Sequence, residues 1–222
     1  MKEKVFVVIP GHNESKHVAS VIKDAKNRGF QNILFVDDGS KDDSSKKAKE
    51  AGAIVLRHKI NLGKGAAVKT GCDYALKEKA DIVCLMDSDG QHKARDLKRL
   101  LDKLIKTKSD IAFGYRSLNK NMPLVTKFGN WFINTTTKLI QGIKLRDTQS
   151  GMRCFTRKAY KKLRWTANDY SMESEMIANA AKNRLKYTEE KIDTVYLDSF
   201  KGTTVLDGIK IVINIFKYRL IR

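Results

Sequence analysis

Little in this sequence points to covalent or metal stapling. Its 222 residues include only three cysteines, Cys72, Cys84 and Cys154, an odd number with no Cys-x-x-Cys pair. None stands at metal-ligand spacing from His12, His17, His58 or His92, which excludes a disulfide framework and a structural zinc and points to a reducing, cytoplasmic setting. Long apolar runs are missing too. Val5 to Ile9 is too short for a secretory signal, and the longest later run, residues 209–216, is broken by Lys210 and Asn214, so no stretch reaches the roughly 20 residues that span a bilayer. Only two prolines are present, there is no low-complexity segment, and no Pro/Gly/Ser-rich linker divides the chain. Hydrophobic residues make up 41% and charged residues 31%, a balance that buries a core and excludes a disordered chain.

One charge is in large excess. Forty-four Lys+Arg against 25 Asp+Glu give a net charge of +19, which implies an anionic partner: nucleic acid, an anionic membrane face or a phosphorylated substrate. Acidic residues gather at particular places, and those places are informative.

Short β-branched runs at 5–9, 32–36, 54–56, 82–86 and 111–113 read as buried strands. Segments 16–28, 43–51, 64–79 and 93–106 have helical spacing between them, as in Val18, Val21, Ile22 and Ala25. This alternation predicts an α/β fold with a mostly parallel central sheet and helices on both faces. The second half is less regular. Helices are expected at 124–140, 171–182 and 204–220, and strands at 152–156 and 194–197. One continuous unit over 1–203, followed by a basic C-terminal helix over 204–222, is the simplest organisation.

In such sheets ligands bind beyond the carboxyl ends of the strands. Three expected strands end in polar clusters: Pro10-Gly11-His12-Asn13-Glu14, Asp37-Asp38-Gly39-Ser40 and Asp87-Ser88-Asp89-Gly90-Gln91-His92. The second also reads as a turn in which Ser40 or Asp42 caps the next helix. In the third, strand alternation points Asp87 and Asp89 to one side with Ser88 opposite. Converging carboxylates suit a hard cation, Mg2+ or Mn2+, to which Gln91 adds a third oxygen. An acidic solvated turn is the plainer alternative.

Two nucleotide-binding motifs are absent. Asn61-Leu62-Gly63-Lys64-Gly65 lacks the Ser or Thr after lysine and the earlier glycine of a P-loop, and no Gly-x-Gly-x-x-Gly follows the first strand. Gly63-Lys64-Gly65 still opens a helix, where backbone N–H groups and a lysine are available to an anion.

These four motifs, in this order and spacing, resemble the family 2 glycosyltransferases of the GT-A fold. More narrowly, they resemble dolichol-phosphate mannose synthases and related polyprenyl-phosphate glycosyltransferases. The likeness continues through Phe113-Gly114-Tyr115-Arg116, where that family often has Gly-Ser-Arg, and Asp147-Thr148-Gln149-Ser150-Gly151-Met152-Arg153. It implies a Rossmann-like fold that takes a nucleotide-diphosphate sugar. By the resemblance, Pro10, His12, Glu14, Asp37 and Asp38 hold the base and ribose, with Lys64 and Ser88 also at the donor. Asp87, Asp89 and Gln91 hold the metal, and Arg116, Gln149 and Arg153 face phosphate or acceptor.

The expected activity is inverting transfer from GDP-mannose, UDP-glucose or UDP-N-acetylglucosamine to dolichyl or polyprenyl phosphate, with Asp89, Arg116 and Asp147 at the reacting centre. A phosphate monoester with second pKa about 6 is largely dianionic at neutral pH and attacks without a base. A hydroxyl acceptor needs one, and Asp147 is the candidate. Many relatives of this kind carry membrane-spanning helices. Here the terminal segment places Ile209, Val212, Ile213, Phe216 and Leu220 on one face among Lys201, Lys210, Lys217, Arg219 and Arg222. It reads either as an interfacial anchor or partner-docking helix at the cytoplasmic membrane face, or as a helix packed on the core. A nucleic-acid-binding module is disfavoured, because basic residues are scattered without interleaved aromatics and the acidic strand ends repel a phosphate backbone.

Overall fold

The computed structural model describes residues 3–116, 135, 138–139, 142–148 and 150–193. Its elements, in chain order, are β1 (Val5–Gly11), α1 (Val18–Asn27), β2 (Asn32–Asp37), α2 (Ser44–Glu50), β3 (Ile54–Arg57), α3 (Lys64–Lys77) and β4 (Ile82–Leu85). Then follow α4 (Ala94–Thr107), β5 (Ile111–Arg116), β6 (Arg153–Thr156), α5 (Arg157–Leu163), α6 (Met172–Lys182) and β7 (Tyr187–Ile192).

The strands form one seven-stranded sheet in the order β3-β2-β1-β4-β6-β5-β7. Only β6 runs antiparallel, between β4 and β5. Strand order reverses beside β1, so the chain's switch point lies between β1 and β4, where open α/β sheets bind ligands. Because β6 is inverted, its amino end at Arg153 lies opposite Leu85 and Phe113. Residues 150–153 therefore reach the same edge as the carboxyl ends of β1, β2 and β4.

Two cores cover the two faces, and the pleat sorts residues between them. Phe6 and Val8 pack with Val68, Cys72, Tyr160, Trp165 and Met176 under α3, α5 and α6. Val7 and Ile9 pack with Val18, Ile22, Leu97, Leu100 and Leu104 under α1 and α4. Period-2 alternation in a strand buried on both sides produces this division.

Two elements depart from the sequence reading. Helix α5 follows β6 directly, with Thr156 Oγ1 accepting from the Ala159 N–H at 3.2 Å. It is short and basic, and its buried face consists of Ala159, Tyr160 and Leu163. The last described strand is at 187–192, where Glu189 and Glu190 on an edge strand disguise the pattern. The strand expected at 194–197, the helix at 204–222, most of that at 124–140, and Gln149 lie outside the described residues. Among the described residues, no helix is long and apolar enough to cross a membrane.

Candidate active site

The loops after β1 and β2 are tied together. The Asp38 N–H donates to the Gly11 carbonyl at 2.8 Å, the Asn13 N–H to Ser40 Oγ at 2.9 Å, and the Lys41 N–H to Asn13 Oδ1 at 2.9 Å. Asn13 sits at φ +56°, a conformation asparagine tolerates better than most residues. His12 lies at the surface with Nδ1 2.8 Å from the Asp38 carbonyl oxygen. The Glu14 carbonyl caps α1, and its N–H donates to Ser44 Oγ at 2.8 Å.

Asp37 and Asp38 turn inward. Asp37 is fully buried and accepts from the Ser40 N–H at 2.9 Å and from Ser45 Oγ, with Arg57 Nε at 3.4 Å. Asp38 accepts from the Leu62 N–H at 2.9 Å and the Gly63 N–H at 2.8 Å, with His58 Nδ1 2.7 Å away. Both carboxylates thus shape the loops that frame the cleft.

The Gly63-Lys64-Gly65 turn differs from the anion cradle its sequence suggests. The Gly63 N–H is engaged by Asp38, and the Ala66 N–H donates to the Asn168 carbonyl at 3.2 Å. Gly63 has φ +96°, and a Cβ there would lie 2.3 Å from Asn168 O. The glycines admit the 167–169 loop, which is pinned in turn by Trp165 Nε1 donating to Gly65 O at 2.9 Å. Glu175 accepts from the N–H groups of Thr166 at 2.9 Å and Ala167 at 3.0 Å, supporting the same turn.

Lys64 reaches across the sheet edge. Its Nζ lies 2.7 Å from Asp87 Oδ1 and 2.9 Å from Glu173 Oε1. Burial disfavours both charged forms, yet the ion pairs prevail: Lys64 is pushed above its ordinary range, and Asp87 is held below its own chiefly by Lys64. Gly151 backs closely onto this pair, and a Cβ there would stand 2.6 Å from Asp87 Oδ2. Pro10, Lys64, Met86, Asp87, Gly151, Arg153, Met172 and Glu173 line one small cavity at the switch point.

Regular alternation stops before the acidic motif ends. Strand β4 finishes at Leu85, and residues 88–90 bend, with Gly90 at φ +77°. Ser88 is buried and donates to the Pro10 carbonyl at 2.8 Å, while Asp89 Oδ1 accepts from the Gln91 N–H at 3.0 Å. Among the described residues, no group of three or more His, Cys, Asp or Glu could cage a metal. The oxygen donors of Asp87, Asp89 and Gln91 are of the kind a hard divalent ion takes. Asp87 already attracts a cation, the Lys64 ammonium.

On the other flank, Asp147 receives a two-pronged contact from Arg116, Nε to Oδ2 at 2.7 Å and Nη2 to Oδ1 at 3.1 Å, plus the Arg116 N–H at 3.1 Å. Arg153 is 1% exposed and donates to the carbonyls of Glu173 at 2.9 Å, Ser150 at 3.3 Å and Thr148 at 3.4 Å. It forms the wall of the cleft, where burial lowers its pKa against the pull of Glu173, Asp147 and Asp87. The sequence reading missed Glu173 and Glu175. Two acids opening a helix look like ordinary dipole compensation, and the partner of Glu173 lies 109 positions away.

Comparison with known proteins follows the same lines. Residues 6–164 match the model of glycosyl transferase family 2. A UDP-N-acetylglucosamine–dolichyl-phosphate N-acetylglucosaminyltransferase of Methanococcus voltae is 34% identical over 232 residues, covering 93% of this chain and 92% of that protein. A polyprenol monophosphomannose synthase of Mycolicibacterium smegmatis is 26% identical over 229 residues, covering 97% and 85%. Among solved structures, glucosyl-3-phosphoglycerate synthase from Mycobacterium tuberculosis, with Mn2+, UDP-glucose and phosphoglyceric acid, superposes with a TM-score of 0.77 at 19% identity, covering 98% of this chain and 80% of that one. The inverted β6, the polar strand ends at the switch point and the family match over residues 6–164 agree: the chain is a GT-A-fold glycosyltransferase and belongs to glycosyl transferase family 2.

Proposed function

We propose that this protein transfers a sugar from a nucleoside-diphosphate sugar to a polyprenyl or dolichyl phosphate, with inversion at the anomeric carbon. The observation that carries the choice of acceptor is the Arg116–Asp147 pair. A hydroxyl acceptor needs a base, for which Asp147 is the candidate, yet that carboxylate is engaged by a guanidinium on both oxygens, which opposes proton capture. A phosphate dianion needs no base. One of its oxygens attacks the anomeric carbon, and the bond to the nucleoside diphosphate breaks with its electron pair leaving on the diphosphate.

In this reading Pro10, His12 and Glu14 border the base and ribose, and Asp37 and Asp38 act by fixing the loops around them. Asp87 and Asp89, with Gln91, would hold Mg2+ or Mn2+, which would neutralise charge on the departing diphosphate. Ser88 locks the metal-bearing turn to Pro10. Arg116 is held in place to meet phosphate, while Arg153 supports the cleft wall. The name of the first sequence relative above gives dolichyl phosphate as acceptor, that of the second a polyprenol monophosphomannose as product, and the fold neighbour was solved with Mn2+ and UDP-glucose. The basic 204–222 segment is the proposed contact with the membrane that carries the acceptor.

The test is incubation with Mn2+, a polyprenyl phosphate and radiolabelled GDP-mannose, UDP-glucose and UDP-N-acetylglucosamine in turn, counting label in the organic phase. One donor should deliver label, and EDTA or Asp89→Ala should abolish delivery. Transfer at full rate in EDTA would contradict the metal role.

A further inference from the structure

The contact between Lys64 and the acidic pair has a consequence for how the metal loads. Lys64 Nζ sits between Asp87 Oδ1 at 2.7 Å and Glu173 Oε1 at 2.9 Å, with the Tyr170 ring 5.3 Å away. Its side chain is 17% exposed, and those of Asp87 and Glu173 are 24% and 10% exposed. One ammonium therefore serves two carboxylates in a site that screens charge poorly. Gly63 and Gly65 seat the start of α3 closely against the 167–169 loop. The four-carbon stem is the flexible part of the residue.

A divalent ion approaching Asp87 meets this ammonium first. It must either bind beside a like charge or displace it, and an ammonium displaced within a partly buried site loses its compensation. A donor diphosphate changes the balance by offering anionic oxygens to the ammonium as it leaves Asp87.

We propose that Lys64 and Glu173 form a counter-cation latch on Asp87, which makes tight binding of the divalent ion depend on the donor's diphosphate. Metal and nucleotide then bind with positive coupling, and by linkage each strengthens the other. Glu173 acts as a positioning residue that retains Lys64 and does not touch the reacting atoms. The inference rests on the metal-dependent reading above and adds to it a coupling between metal and donor.

The latch is tested by titrating Mn2+ into the full-length protein and reading free Mn2+ by its solution EPR signal. Titrations are made without nucleotide and with UDP or GDP, against protein-free blanks. Lys64→Met should tighten binding of Mn2+ alone by about tenfold, within the usual range of coupling between sites, and should shrink the gain from nucleotide. The double variant Lys64→Met/Glu173→Gln removes one positive and one negative charge, so the net charge of the cluster is unchanged. It should also bind Mn2+ alone more tightly than wild type, because Asp87 is released. Replacing both partners of a buried pair is also the better tolerated change if the single variant fails to fold.

Affinity for Mn2+ alone equal to wild type in the double variant would overturn the latch and leave the metal role standing. Absence of protein-bound Mn2+ in wild type and variants alike, even with UDP or GDP, would overturn both.

Discussion

Asp147→Asn separates two chemistries that leave the same sequence signature. The carboxylate accepts three bonds from Arg116, at 2.7, 3.1 and 3.1 Å. An amide keeps the shape but turns one acceptor into a donor facing the guanidinium, so one charge-assisted prong is lost. Such a bond contributes roughly 1.5–3 kcal/mol. Because Arg116 retains 27% exposure, water softens the loss, and about 2 kcal/mol is a fair figure. If all of it falls on the transition state through a misplaced Arg116, the rate drops about 30-fold. If it falls on the fold, Tm drops by about 4–8 °C in a chain of this length. Loss of a general base would instead cost roughly 100- to 10,000-fold and remove a limb of the pH profile. The assay is the initial rate of label transfer to lipid phosphate across about pH 5 to 8, with Tm by circular dichroism; the limb near pH 6 should persist, since it belongs to the acceptor. A loss of about 1,000-fold or more, with Tm unchanged and the limb gone, would establish Asp147 as the base and refute the argument.

Gly151→Ala should place a methyl 2.6 Å from Asp87 Oδ2 and 3.1 Å from Lys64 Nζ, and overpacking of about 1–3 kcal/mol should appear as a rate loss of about tenfold; an unchanged rate would deny the close approach. Arg153→Lys should lower Tm by about 6–12 °C, since a buried fork that joins three carbonyls is lost at about 3 kcal/mol. A normal Tm with a raised acceptor KM would make Arg153 a ligand-binding group. Asp42 is held at about 2, because hydrogen bonds from Ser44 and Ser15 outweigh the opposing effect of burial. A lowered folded-state pKa stabilises above the unfolded value of 3.8 and is lost as pH falls towards 2, so Asp42→Asn should flatten part of the acid limb in a plot of unfolding free energy against pH.

Much of this molecule could be read from its pattern. Runs such as Phe6–Ile9 and Ile33–Val36, buried on both faces, announce parallel strands, and the polar residues immediately after them stand at the edge where the cleft forms. What a side chain does with its partners was less legible. Asp37 and Asp38 resemble ligand groups in sequence, yet they spend their oxygens on Ser40, Leu62 and Gly63. Lys64 looks like an anion binder and meets Asp87 and Glu173, because the 167–169 loop has taken the helix entrance. Strand β7 escaped because Glu189 and Glu190 pair with Arg146 and Lys103, contacts 43 and 87 positions apart that no local window contains.

The central claim is that the nucleophile is a phosphate oxygen, so that the protein supplies no base. Its most direct measurement compares two acceptors of identical chain, a polyprenyl phosphate and the corresponding polyprenol, at equal concentration in the same detergent with the active donor and Mn2+. Label should enter the organic phase only with the phosphate, as a sugar–phosphate–lipid of the opposite anomeric configuration to the donor. Equal or greater transfer to the free alcohol, or retention of the donor's configuration, would contradict the account.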